Sequence, residues 1–557
     1  MRFLYILFFF SSFIYSQNID VNNDFNYSLL RNAILKGDIS TNYSLNIKPV
    51  DLQKFESLFN KQYKTIIENS SKSIQIKTLG IDYFLEYNSK HPYNRNNGSM
   101  IPNRGYQHIF SPGLFIKLGP ISLQLKPEHH YSENKKFDGF WEGHYGEVWL
   151  TRYRLWNHID MPERYGSIRH NRFLIGQSNF KINWKKISIG ISNENIWWGP
   201  SIRNSIMMSN HAQGFNHITF NTITPINTFI GDFEWQLISG KLVQSGYYPP
   251  RKDYVFNGQR LWRTKTNQNA NAYDWRYLQG LIINFSPKWI DNFHIGFIRW
   301  AQMYSELVKG EMYWFEGKPS YFPVFGNLFR KRDKYVDYES QINQAAGLYF
   351  KWIWQDSKAE IYAEFHLNDA KQNIRDLILD TDHSRATTLG LQKIFKINSS
   401  DFLFNWEWTQ MEQTANRLVR NNGSWYEHGY VMDGYTNNGE ILGSSIGPGS
   451  NSHYLSINKI KSGEKIGLAL EIIDHDNDFY HEAFSLAKDF RRYWKDINFH
   501  LNYNKSFKNF NLSSNFTYIR SLNYQWELDD FAQPYYHPGR DIDNFHLNLK
   551  FTYFGNW

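Results

Sequence analysis

The feature that most constrains this chain is how its connections alternate in length. From about residue 78 to 554, stretches of alternating apolar and polar residues recur, and the gaps between them switch between roughly one to seven and roughly eighteen to forty-four residues. The final stretch shows the unit: Phe545, Leu547, Leu549, Phe551 and Tyr553 fall on one face of a strand, and His546, Asn548, Lys550 and Thr552 on the other. "FKINW" and "ISIGIS" pair across Lys185 and Lys186, and "AGLYFKWIW" and "AEIYAEFHLN" across "QDSK". Strands are predicted near 78–87, 112–118, 120–127, 172–184, 187–195, 216–223, 230–240, 278–285, 293–303, 346–354, 359–367, 386–395, 402–411, 453–460, 465–473, 495–503, 510–520 and 544–554. That is an even set of about eighteen, as single-chain bacterial barrels require. A soluble sandwich has no reason to sort its loops so strictly by end. The fold class is therefore all-β: a closed antiparallel transmembrane β-barrel of about 18 strands, with short periplasmic turns and long external loops.

Composition agrees. Aromatic residues make up 18% of the 557, yet mean hydropathy is −0.58. Interfacial girdles use many rings, and a polar lumen lowers the average. The chain opens on "MRFLYILFFFSSFIYSQ", a cation, a short apolar run and small residues, which predicts a secretory signal over 1–16. Beyond it no stretch approaches the roughly 18 to 20 apolar residues of a spanning helix. Cysteine is absent, which fits an exported chain without disulfides. Residues 17–77 precede the barrel, 78–557, and are expected to form a periplasmic segment of two short amphipathic helices. One carries Leu30, Ala33 and Ile34 before a stop at Gly37; the other carries Leu52, Phe55, Phe59 and Tyr63 after Asp51.

Two external loops concentrate chemistry-bearing residues. "ENIWWGPSIRNSIMMSNHAQGF", from Glu194 to Phe215, is too irregular for a helix and too long for a hairpin turn. "YYPPRKDYVFNGQRLWRTKTNQNANAYDWRY", 247–277, sets Arg251, Lys252, Arg260, Arg263, Lys265 and Arg276 among aromatic rings against only Asp253 and Asp274.

The first loop, with "IDMPERYG" (159–166), "GQS" (176–178) and "IGDFEWQLISGKL" (230–242), resembles the signature run of the Wzi-type capsule assembly family; "PGLFIKLGPISLQLKPE" and "LGSSIGPGSNSHYL" resemble further pieces of it. The resemblance implies an eighteen-stranded outer-membrane barrel with a small periplasmic helical element, a lectin-like protein that helps attach or organise capsular polysaccharide. It supplies no catalytic motif. From the residues themselves, Trp197 and Trp198 suit stacking on sugar rings, while Arg203, Asn204 and Asn210 suit hydroxyls or uronate carboxylates. The same block can instead fold inward and plug the lumen. Arg251, Lys252, Arg260, Trp262 and Arg263 suit an acidic glycan; the alternative is that these cations neutralise lipid and lipopolysaccharide phosphates at the rim. On a nucleic-acid protein such a loop would suggest phosphate contacts with base stacking, but an exported barrel meets surface polysaccharide, so no nucleic-acid partner is expected. The rival function is a porin or polysaccharide export channel.

Catalysis, cofactors and metals are not expected. "GSSIG" (443–447) fits G-x-S-x-G but lies in a loop before a strand, where a nucleophile elbow needs a strand-turn-helix. "DHDNDFYHE" (474–482) lacks the Gly and Glu of a calcium loop.

Overall fold

The computed structural model describes residues 18–554 apart from 23, 40–42, 52–54, 56–63, 69–73, 263–274, 310–320, 327–340, 370, 372, 414–419, 421, 462 and 529–538. Eighteen antiparallel staves close into a barrel. In chain order they are β1 (Ile74–Asn88), β2 (Gly105–Leu118), β3 (Ile121–Leu125 with Glu128–Ser132), β4 (His170–Leu174 with Asn179–Trp184), β5 (Ile187–Ser192) and β6 (His217–Thr222 with Ile226–Asn227). They continue with β7 (Gly231–Leu242), β8 (Arg276–Pro287), β9 (Phe293–Tyr304), β10 (Asn343–Trp354), β11 (Ala359–Asn368) and β12 (Arg385–Ile397). The last are β13 (Ser400–Gln410), β14 (Asn451–Lys461), β15 (Glu464–Asp474), β16 (Lys495–Ser506), β17 (Phe510–Leu522) and β18 (Ile542–Tyr553). Closure is direct, from Tyr553↔Ile81 to His546↔Asn88. Every predicted strand is present in its predicted place. Several are longer than the alternation indicated: β1 starts at Ile74, β2 at Gly105 and β10 at Asn343, and β3 runs to Ser132 across a break at Lys126–Pro127, where proline has no N–H for the ladder.

The barrel is inverted relative to a soluble core. On β4, Asn179, Lys181 and Asn183 point inward and are 3%, 3% and 0% exposed, whereas Phe180, Ile182 and Trp184 point outward at 45%, 48% and 58%. On β15 and β16, Leu468, Phe499 and Leu501 face out while Glu471, Asn498 and His500 are buried inside.

Residues 18–51 lie inside the lumen at the short-turn end. Helix α1 (Asp24–Lys36) packs Leu30, Ile34 and Leu35 against Ile353, Ile394, Leu403 and Ile460 on the wall. It ends as predicted at Gly37, whose φ of +80° lets Asp38 N–H return to the Ala33 carbonyl. Arg31 pairs with Glu360, and Lys36 with Asp401 at 2.7 Å. The second expected helix falls outside the described residues, as do the signal segment and Arg263. The leader is not wholly helical: Lys64–Glu68 forms a strand that pairs with Gln75–Thr78 at the start of β1.

At the long-loop end, α2 (Gly146–His158) and α3 (Asn477–Leu486) pack together through Trp149, Tyr153, Trp156, Phe479, Tyr480 and Phe484. Asp476 caps α3 by accepting from Phe479 N–H at 3.1 Å.

The lumen between these ends has two unlike halves. Along β7–β10, Ile238, Leu278, Ile282, Ile298, Trp300 and Tyr349 pack directly on Trp198, Ile206, Met207 and Met208 of the 193–216 loop. Along β12–β18 the wall is polar, with Gln392, Asn405, Asn502, Asn515 and Asn548 lining a chamber of about 290 Å³.

Candidate functional site

The long loop after β5 turns down into the barrel. Three glutamates on the inward faces of β11, β13 and β15 hold it there. Glu407 accepts from the backbone N–H groups of Ile202 (2.7 Å), Arg203 (3.2 Å) and Asn204 (2.7 Å). Glu364 accepts from the N–H of Ser201 at 3.1 Å and from its hydroxyl, and Nε2 of His366 lies 2.9 Å from its other oxygen. Glu471 takes both arms of Arg203, Nε at 3.1 Å and Nη2 at 2.7 Å, plus the Tyr93 hydroxyl at 3.1 Å. A buried carboxylate is tolerable only when it is paired or well hydrogen-bonded, and each of these is.

Gly199, between the tryptophans and the proline, has φ +101°, and a Cβ there would stand 2.6 Å from Glu364 Oε1. Only glycine permits both the backbone turn and the close approach. The two plugs also join each other: Trp197 and Trp198 pair as a short strand with Lys48 and Ile47 of the leader.

The sequence-predicted residues thus divide between two places. Trp197 is 5% exposed with Lys48 Nζ 4.7 Å over its ring, and Trp198 is fully buried, its Nε1–H donated to Gln236 at 2.8 Å. Arg203 and Asn204 are held by Glu471 and Glu407, and Asn210 Nδ2 donates to the Asn96 carbonyl at 2.9 Å and to Asn22. These five are spent on the plug. Arg251, Lys252, Arg260 and Trp262 stand together at the mouth. Arg251 lies over Tyr254 and Trp149 at 4.4 and 5.1 Å, and Lys252 over Tyr248 at 5.3 Å. Arg260 pairs with Asp253 at 2.8 Å across the turn Asn257–Gly258, where both residues have positive φ. Trp262 is tucked under α2 with 8% exposure.

Two clefts open at this end on either side of Met161–Pro162, from the "IDMPERYG" stretch. One, about 220 Å³, is lined by Trp156, Tyr247, Tyr248 and Trp262. The other, about 240 Å³, is lined by Tyr93, Arg95, Arg152, Glu163, Glu440, Trp494 and Trp526. Arg152 is buried 4.8 to 5.5 Å from the rings of Trp156, Phe140, Phe479 and Trp526, with Glu163 at 3.8 Å. Burial raises the Glu163 carboxyl above its ordinary range, though Arg152 pulls it back. Burial also holds Glu440 well above that range, though Asn94 donates to it. His211, at the floor of this cleft, is pushed down by burial to about 3 and is neutral.

Sequence reasoning missed this second cleft because its residues come from six different loops. It missed the wall glutamates as well, although a signal existed: Glu364, Glu407 and Glu471 all sit on the polar side of the strand alternation. The motifs set aside have structural uses. Ser445 accepts from Arg95 at 3.4 Å within a loop, and Asp478 accepts from Gln413 N–H at 2.7 Å and from Ser424.

A closed barrel with an outward apolar face and a polar interior is the architecture of an outer-membrane protein; here its lumen is filled from both ends. The chain belongs to the capsule assembly protein Wzi family, whose model matches residues 111–489. No curated protein sequence matches it. Among solved structures it is similar to Wzi of Escherichia coli, described as an outer membrane protein involved in group 1 capsule assembly and a carbohydrate-binding β-barrel. Identity is 12%, coverage is 96% of this chain and 98% of that one, and the TM-score is 0.57, a likeness of fold. OccAB2 of Acinetobacter baumannii (10% identity, 85% and 97% coverage, TM-score 0.38) and OprD of Pseudomonas aeruginosa (8%, 85% and 93%, 0.36) are more distant.

Proposed function

We propose that this protein is a non-catalytic binder of surface polysaccharide, serving capsule assembly, and that the two clefts flanking Met161–Pro162 form its glycan site at the extracellular end. The observation that carries this reading is the juxtaposition itself: aromatic walls for the C–H faces of sugar rings, and buried Arg152 with Glu163 and Glu440 for hydroxyls, on both sides of a ridge supplied by a family-like motif. Arg251, Lys252 and Arg260 add positive charge beside the smaller cleft and favour an acidic polymer. The same end also faces lipopolysaccharide, whose phosphates suit the outermost of these cations. The carbohydrate binding described for the Escherichia coli protein supports the class of ligand. An open channel is disfavoured by the plugs at both ends.

The test uses purified barrel in detergent, immobilised acidic and neutral capsular polysaccharides, and the variants Tyr248→Ala, Arg251→Ala and Trp262→Ala. Retention of the acidic polymer is expected, weakened about tenfold or more in Tyr248→Ala, with retained heat-modifiable migration showing intact barrels. Equal retention by all variants would place the glycan elsewhere. Large steady single-channel currents from the wild-type protein in planar bilayers would instead favour the channel.

A further inference from the structure

We propose that the chamber between the two plugs is a binding site for a small organic or inorganic anion, a carboxylate or phosphate group on a molecule no larger than a monosaccharide. The proposal concerns the interior and stands apart from the glycan reading of the mouth.

Positive charge collects around this space. Strands β12–β18 form its wall, α1 its floor, and Tyr93, Arg95, Ile202 and Arg203 its roof. Six cations line it: Arg31, Lys48, Arg95, Arg203, Lys465 and Lys550. Arg31 and Arg203 are matched by Glu360 and Glu471, carboxylates that point at them from outside the lining. The direct contacts of the other four are with neutral groups, while carboxylates act on them at longer range: Asp24 on Lys48, Lys465 and Lys550, Asp82 on Lys550, Glu407 on Lys48 and Glu471 on Arg95. Lys550 Nζ donates to the Asn22 carbonyl at 2.6 Å, and Lys465 Nζ reaches Ser28 Oγ at 3.4 Å. Lys48 faces the rings of Tyr27 and Trp197, each at 4.7 Å, and Arg95 lies 5.5 Å over Tyr93. Among the described residues, Asp24 is the single acid lining the space, and Lys48, Arg203, Lys465 and Lys550 all act on its carboxyl.

Like charges this close repel, and a surplus of them persists only where counter-charge or water compensates. Asp24 supplies one negative charge and leaves room for another. Burial drives the Lys48 ammonium down to about 7, the response of a cation short of counter-charge.

Polar side chains without formal charge line the same chamber, Gln392, Asn405, Asn502, Asn515 and Asn548 among them. Asparagine amides around the wall add donors and acceptors suited to hydroxyls. A volume of about 290 Å³ accommodates phosphate with its waters or a single sugar acid.

The experiment is isothermal titration of the full chain in detergent with inorganic phosphate, with sodium galacturonate and with neutral galactose, at fixed ionic strength in chloride. Saturable binding at one site per chain is expected for at least one of the two anions and not for galactose; which anion binds distinguishes phosphate from carboxylate recognition. Lys465→Met and Lys550→Met should each weaken it about tenfold. Asp24→Asn removes the resident negative charge and should tighten binding severalfold, a gain that misfolding cannot imitate. Tyr248→Ala at the mouth should leave the titration unchanged, which separates this site from the glycan cleft. Absence of saturable binding by either anion, or affinities unaltered in all three chamber variants, would overturn the proposal.

Discussion

The two halves of the lumen solve the same problem in opposite ways. Along β7–β10 the plug is pressed dry against the wall, and Tyr435 of the 411–450 loop stacks on Trp300 with ring centroids 3.8 Å apart. Along β12–β18 the wall keeps its polar side chains and a chamber separates plug from strands. Where contact is direct, stability follows packing and volume. Where it is not, side chains answer to charge and hydrogen bonding, and single truncations cost little. Of the wall glutamates, Glu407 and Glu471 stand on the polar half and Glu364 on β11 between the two, and together they are the posts from which the plug hangs.

The sharpest way to break this contrast is to truncate one residue on each side. Trp198→Ala opens a void in the packed half and should cost about 3 to 5 kcal/mol in denaturant unfolding, whereas Asn502→Ala, whose amide oxygen accepts only from Asn515 at 2.6 Å, should cost within about 1 kcal/mol. Equal costs would erase the distinction. Next in size is Glu407→Ala, which strands three backbone donors at about 1 kcal/mol or more each. It should loosen the outer plug enough for steady ionic conductance to appear in planar bilayers; a silent variant would mean the packed half alone seals the barrel. Gly199→Val should act in the same direction more weakly, by about 1 to 3 kcal/mol, read as a shifted denaturant midpoint.

Acid should sharpen the picture further. Burial holds His144, in the mouth cap, and His211, in the plug, down at about 3. Unfolded, both would titrate near the ordinary imidazole value of about 6.5. Between that value and about 3 the unfolded state takes protons that the folded state refuses, so stability contributed by these two sites falls as pH drops through the window. Near-UV circular dichroism from the cap tryptophans should weaken there while the β-sheet signal persists. The smallest effect belongs to the rim: Arg260→Ala removes an exposed pair with Asp253 and should change stability by less than about 1 kcal/mol.

Much of the barrel was legible in the sequence because side-chain alternation is a local signal. Phe545 to Tyr553 declare their two faces within ten residues, and Lys185–Lys186 or Gln355–Lys358 punctuate hairpins without reference to anything distant. The direction taken by the long loops was not legible. Whether Trp197 and Trp198 rise to the mouth or sink into the lumen depends on Glu364, Glu407 and Glu471, and Arg203 lies 268 residues from its partner Glu471. Composition offered both outcomes, plug and sugar platform, and no local pattern chose between them. The mouth clefts were half legible: the cationic aromatic loop stood out, while Arg152, Glu163 and Glu440 looked like ordinary loop charges until the fold gathered them.

The seam where the chain's two ends meet has a bearing on how these molecules behave when crowded in a membrane. β18 stops opposite Ile81, and the remaining border of β1 is taken by Lys64–Glu68 from the same polypeptide. A bare border of that kind invites a neighbour's strand to zip on, the route by which sheets grow into aggregates or trade segments. By filling it internally, the leader acts as a selvedge that keeps each copy from unravelling into the next.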